Sequence, residues 1–172
     1  MVVPAVLWQD EFKFAAGRNT NQPSRDYAFN RQIVRVQCAI MDNEMRIEYS
    51  RQSAAPVRST AEKLTQELSK RGFGVLSNID VKKIIKEKLG EDMEEYVILD
   101  VCSPKHAKRA IDAHKEVGLI LPCKIVVYED DGRTLISLYR PTKAIEVLKF
   151  SDLNPLAQEV ESELKLALDA IV

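Results

Sequence analysis

The chain has 172 residues, 45% hydrophobic and 30% charged, and its 25 basic and 26 acidic side chains leave a formal net charge of -1. That composition excludes disorder throughout and supplies no bulk charge to attract nucleic acid or anionic lipid. No run approaches the roughly 18 apolar residues of a membrane span, and the opening MVVPAVLWQDEF lacks the basic start of a secretory signal. Three cysteines without an export signal are expected as reduced thiols in the cytoplasm, not as a disulfide framework.

Residues 1–44 form an extension of weak periodicity, with the turn-rich stretch AAGRNTNQPSRDYAFNRQ and one strand-like piece, Ile33 to Ile40. Met41 and Met45 stand where regular patterning begins, so either could be the translation start, which would leave the extension unmade.

A single domain is expected over 45–172. MRIEYSR alternates as a half-buried strand does. STAEKLTQELSKRG reads as a helix capped by Ser59, with Ala61, Leu64, Thr65 and Leu68 on one face and Gly72 as the stop. After the strand FGVLSNI, Asp80 is placed to cap VKKIIKEKLG, whose stripe is Val81, Ile84, Ile85 and Leu89 and whose end is Gly90. Its lysines (Lys82, Lys83, Lys86, Lys88) are interrupted by Glu87 and no aromatic residue interleaves, which fits a solvated face better than an anion patch.

YVILDVC is the clearest strand. Ser103 and Pro104 then signal a helix, with Ser as cap and Pro at the first helical position, expected to run to Gly118. LILPCKIVVYE returns to strand character with an irregularity at Pro122, and Asp131-Gly132 marks a tight hairpin into RTLISLYR. PTKAIEVLKF is a short helix. From about Asn154 a long amphipathic helix repeats Leu156, Val160, Leu164, Ala167 and Ile171. The sum is an α+β protein in two layers, about five strands forming a sheet covered by about four helices.

The window VCSPKHAKRAIDAHKEVGLILPC, Val101 to Cys123, holds two of the cysteines and both histidines. A shared metal does not fit, because His106 and His114 lie about 12 Å apart along a helix and no close Cys or His pair nucleates a site. A thiol centre fits better. Cys102 just precedes a helix N-terminus, where free N–H groups and the macrodipole favour a thiolate, and His106 lies in the first turn. Asp100 shares Cys102's side of the strand and could accept a proton. Against this, cysteine is also a common buried packing residue.

Cys123 sits in a core-like strand, and its pairing with Cys102 depends on topology. A parallel crossover would separate the two, whereas an antiparallel return would bring them together. Cys38 carries no assignment. Phosphate loops, Ser-His-Asp constellations and paired glycosidase carboxylates are not recognisable from the sequence.

RGFGVLSNIDVKKIIKEKLGEDMEEYVILDVCSPKHAKRAI, followed by LPCKIVVYEDDG, resembles the bacterial and archaeal proteins called domain of unknown function 302, from about Met45 to the C-terminus. The resemblance implies a fold like that of TATA-binding protein and a homodimer, and it implies no established activity. Some relatives lie near sulfur-metabolism genes. Where the family usually has Cys-Asn-Pro, this chain has Cys102-Ser103-Pro104, which preserves the helix cap but removes an amide. A fold like TATA-binding protein does not license DNA binding in a slightly acidic chain.

The expectation is a cytoplasmic, homodimeric binding or carrier module rather than a turnover enzyme. It has no identifiable cofactor or metal, and no nucleic-acid or membrane partner. It would handle a thiol or sulfur species, or another small molecule, through Cys102, with Asp100 and His106 as helpers and Cys123 as a candidate binding residue. The alternative is a non-covalent ligand-binding or scaffolding homodimer with inert cysteines.

Overall fold

Alternating strands and amphipathic helices in this order build one antiparallel sheet with helices on it. The structure, a computed structural model, describes residues 46–172. The strand candidate Ile33–Ile40, Cys38 and both candidate start methionines lie outside them. Along the chain come β1 (Glu48–Ser53), α1 (Val57–Lys70), β2 (Gly74–Asp80), α2 (Val81–Leu89), β3 (Tyr96–Cys102) and α3 (Pro104–Ala113). They are followed by β4 (Cys123–Asp130), β5 (Arg133–Tyr139), α4 (Pro141–Leu148) and α5 (Asn154–Asp169). The spatial order is β1-β5-β4-β3-β2, every neighbour antiparallel. Among the described residues there are thus five strands and five α-helices, the helices corresponding to the five helical segments read along the sequence.

Period-two alternation decides which side of the sheet is dry. Val97, Leu99 and Val101 on β3, Ile125 and Val127 on β4, and Ile136 and Leu138 on β5 are all buried. They meet Val57, Ala61, Leu64 and Leu68 of α1 and Leu156, Val160, Leu164 and Leu168 of α5 in one core. Each fully buried aliphatic side chain contributes about 1.5–3 kcal/mol to this layer. On the other side Ile98, Val126, Tyr128, Leu135 and Ser137 are only half-buried. A two-layer α+β fold results.

Several terminators behave as their chemistry predicts. Asp80 caps α2 through its side chain, which accepts from the Lys83 N–H at 2.9 Å, and Gly90 ends that helix at φ 72°. Asp131 and Gly132 both take positive φ, 51° and 73°, the two-residue turn that matches strand twist.

Three local expectations are corrected. α1 begins at Val57, so Ser59 lies inside the helix and does not cap it. Val57 belongs to the core at 2% exposure, and it draws the first turn back to Pro56, whose carbonyl accepts from the Thr60 N–H. α3 stops at Ala113 instead of Gly118. His114 turns extended, and a 3-10 turn over Lys115–Leu119 buries Val117. No residue of the α2 stripe is fully buried: Val81 and Ile85 are half-buried, and Ile84 and Leu89 are 44% and 63% exposed.

Candidate functional site

Antiparallel pairing of β3 with β4 settles the geometry of the cysteine window. Val101 stands opposite Cys123, and Cys102 opposite Gly74 on the other flank of β3. The two cysteines therefore end adjacent strands rather than lying at opposite sheet edges. Both line one partly open cavity of about 60 Å³. Around it close Phe73, the first turn of α3, the start of α4 and the inner faces of Ala157 and Val160 on α5. The walls are mostly aliphatic; the polar contributors are the two thiols, Ser103, His106 and Tyr139.

The thiols depart from the expected activation. Burial pushes Cys102 up from the ordinary thiol value. Cys123 is pushed up to about 12, first by burial and then by the nearby Cys102. A thiolate needs solvent or a cation, and the aliphatic wall offers neither, so desolvation outweighs the helix terminus. Both cysteines are free thiols.

Asp100 and His106 are both bonded to partners other than Cys102. Asp100 forms an ion pair with Lys124 and accepts from Ser77 Oγ at 2.5 Å; these bonds, Lys124's first, hold its carboxyl below the usual range. It is not among the cavity-lining residues.

His106 uses both ring nitrogens. Nδ1 lies 2.9 Å from Ser103 Oγ and Nε2 3.1 Å from Glu159 Oε1, while the ring stacks on Phe73 at 5.8 Å between centroids. Glu159 also accepts from Arg109 Nη1 at 3.1 Å, and hydrogen bonds from His106 and then Arg109 keep its carboxyl below the ordinary range. His114 lies outside the cavity, stacked on Phe150 at 4.2 Å and bonded to Asp152 at 2.9 Å. It ties the end of α3 to the α4–α5 junction.

The structure thus brings Cys102, Cys123 and His106 to one cavity, a proximity of the two cysteines that the sequence left open, and leaves Asp100 out of its lining. The missed groups are Ser103 as a side-chain partner and Glu159. The i, i+3 spacing of Ser103 and His106 is that of a capping box, in which the third helical residue reaches back to the cap, and this signal could have paired them. Glu159, 53 positions on, had no local signal.

The fold and cavity define a small two-layer α+β protein with a mixed thiol and hydroxyl pocket at the strand ends. The model of the family "Domain of unknown function DUF302" matches residues 49–171, and the chain belongs to that family. It is similar to a solved structure, an uncharacterized conserved DUF302 protein from Bacillus stearothermophilus. The identity is 32%, the match covers 73% of this chain and 98% of the other, and the TM-score is 0.71. No curated protein matches the chain.

Proposed function

We propose that the chain is a small-molecule-binding module whose ligand occupies the cavity at the ends of β3 and β4, with Cys102 and Cys123 as neutral, protonated lining. The observation that carries this reading is the aliphatic wall that raises both thiols while leaving room between them and Ser103. A concave, mainly apolar site with a few convergent polar groups is the usual form of a ligand pocket. The free thiols Cys102 and Cys123 fit a reducing compartment, and we assign the protein to the cytoplasm on that ground. Among the described residues no helix is long and apolar enough to cross a membrane.

A sulfur-carrier role for Cys102 is the second reading, favoured by its being only half-buried. Iodoacetamide labelling against pH separates the two. Neutral lining predicts that native Cys102 alkylates more slowly than a free thiol and that Cys123 reacts only after unfolding. Alkylation of native Cys102 with an apparent pKa well under about 8.5 would establish the carrier instead.

A further inference from the structure

Beside the thiols the cavity holds a second, unassigned group of reactive side chains. Ser103 is buried at 6% exposure, yet it lines the cavity. Its hydroxyl faces His106 Nδ1, and Nε2 of the same ring faces Glu159, whose carboxylate is held from behind by Arg109. The bonding order fixes the tautomer. A carboxylate only accepts, so Nε2 carries the hydrogen and donates to Glu159. Nδ1 then offers a lone pair, and the Ser103 hydroxyl donates to it. A serine donating to an imidazole that is oriented by a carboxylate is the arrangement that activates a hydroxyl as a nucleophile. Here the two ring nitrogens are exchanged relative to the usual serine hydrolase, which leaves the proton path unchanged. The backbone N–H groups of Lys105 and His106 belong to the first turn of α3, where helical acceptors are lacking, and that turn has no side-chain cap bond.

From this geometry we infer that Ser103 is an acyl-accepting nucleophile, with His106 as its base and Glu159 as the positioning carboxylate, acting on esters of short, uncharged acyl groups. The inference rests on the cavity being a ligand site. The chemistry balances without a cofactor. Ser103 Oγ bonds to the acyl carbon while its proton passes to His106 Nδ1. The ester C–O bond then breaks, and the leaving oxygen takes that proton and departs as the alcohol. Water, giving its proton to the same nitrogen, attacks the acyl carbon; the bond to Oγ breaks, the proton returns to Ser103, and the carboxylic acid is released. A cavity of about 60 Å³ limits the acyl chain to a few carbons. Its aliphatic wall disfavours a charged one.

A fluorophosphonate probe on the full chain tests the inference, with peptide mapping of the adduct and p-nitrophenyl acetate turnover alongside. The expected result is one adduct, on Ser103, absent from S103A and formed at least ~100-fold more slowly in H106Q, the usual scale of a lost general base. No adduct on Ser103 in the native wild-type chain would overturn the assignment, as would labelling at an undiminished rate in H106Q. Because the mapping is done on the wild type, the test holds even if S103A fails to fold. Xenon-induced shifts of the Ala110 and Ala157 methyl resonances judge the cavity separately. Xenon entry without Ser103 labelling would leave the binding reading standing and sink this one, whereas absence of xenon entry would sink the binding reading and this one with it.

Discussion

At the scale of single residues, one side chain with consequences for stability looks ordinary in the sequence. Glu161 of α5 is 4% exposed, and it reaches the start of α4. One carboxylate oxygen accepts from Arg140 Nε at 2.9 Å and Lys165 Nζ at 2.5 Å, the other from the Thr142 N–H at 3.1 Å and its hydroxyl at 2.5 Å. Burial pushes this carboxyl up, but the bonds from Lys165, Thr142 and Arg140 outweigh it and bring the value from 4.5 down to about 2. A group depressed in the folded state stabilises fully above its unfolded value and loses that contribution as pH falls through the folded value. The gap corresponds to about 3 kcal/mol, present above roughly pH 4.5 and gone below about pH 2. Urea unfolding of E161Q should lose this segment of the pH dependence. At pH 7 it should show a stability loss of several kcal/mol, because the charge-assisted bonds that Arg140 and Lys165 make to a buried carboxylate are replaced by bonds to a neutral amide. Equal pH slopes in the two proteins between pH 4.5 and 2 would contradict the assignment. ESELK shows only the i,i+4 pair of Glu161 with Lys165; the other partners, Arg140 and Thr142, lie at the start of α4, and no local pattern reveals them. Glu159 was hidden for the same reason, whereas Asp80 was legible because its partner is three residues away.

At the scale of elements, what could be read was whatever a segment decides for itself. The cap of α2, its glycine stop and the Asp131-Gly132 turn are local arrangements, whereas Ser103 stands at the start of α3 without the expected side-chain cap, because its hydroxyl is bonded to His106. The start of α1, the early end of α3 and the exposure of the α2 stripe were set by what the core could reach. With no buried residue to anchor it, α2 depends on its ends more than α1 does. D80A removes the bond to the Lys83 N–H and the 2.7 Å contact with Arg58. It should cost about 1 kcal/mol in urea unfolding and speed amide exchange selectively in the first turn of α2. Unchanged exchange there would mean the cap contributes nothing.

At the scale of the whole molecule, the two-layer class was legible from alternating patterns, but strand order was not. The residues between β3 and β4 fitted both a parallel crossover and an antiparallel return, and only the folded sheet chose the return. Leu76 on the edge strand β2 is 66% exposed, and with Ile84 and Leu89 of α2 it supports our proposal that a second copy covers this flank. An isologous contact of that kind would bury apolar surface that is rarely left in water in one patch. Sedimentation equilibrium at micromolar concentration should give a mass near twice 19.5 kDa, and L76E combined with L89E should halve it without altering circular dichroism. A monomer in the unaltered protein would end the idea.

The first described strand lies beside the last one in sequence. β1 pairs with β5 from Glu48 opposite Tyr139 to Ser53 opposite Thr134. Asp169, at the close of α5, accepts from the Tyr49 hydroxyl at 2.8 Å and from Arg51 Nε at 2.7 Å. The domain is in effect a clasp whose two halves arrive more than a hundred residues apart. β3, β4 and β5 assemble from neighbours, but the clasp can shut only when α5 has been synthesised and docked, because long loops must close before such contacts form. Until β1 settles against it, β5 offers a bare hydrogen-bonding edge, so the nascent chain is at its most association-prone before that pairing, which the ties to Asp169 then lock, has formed.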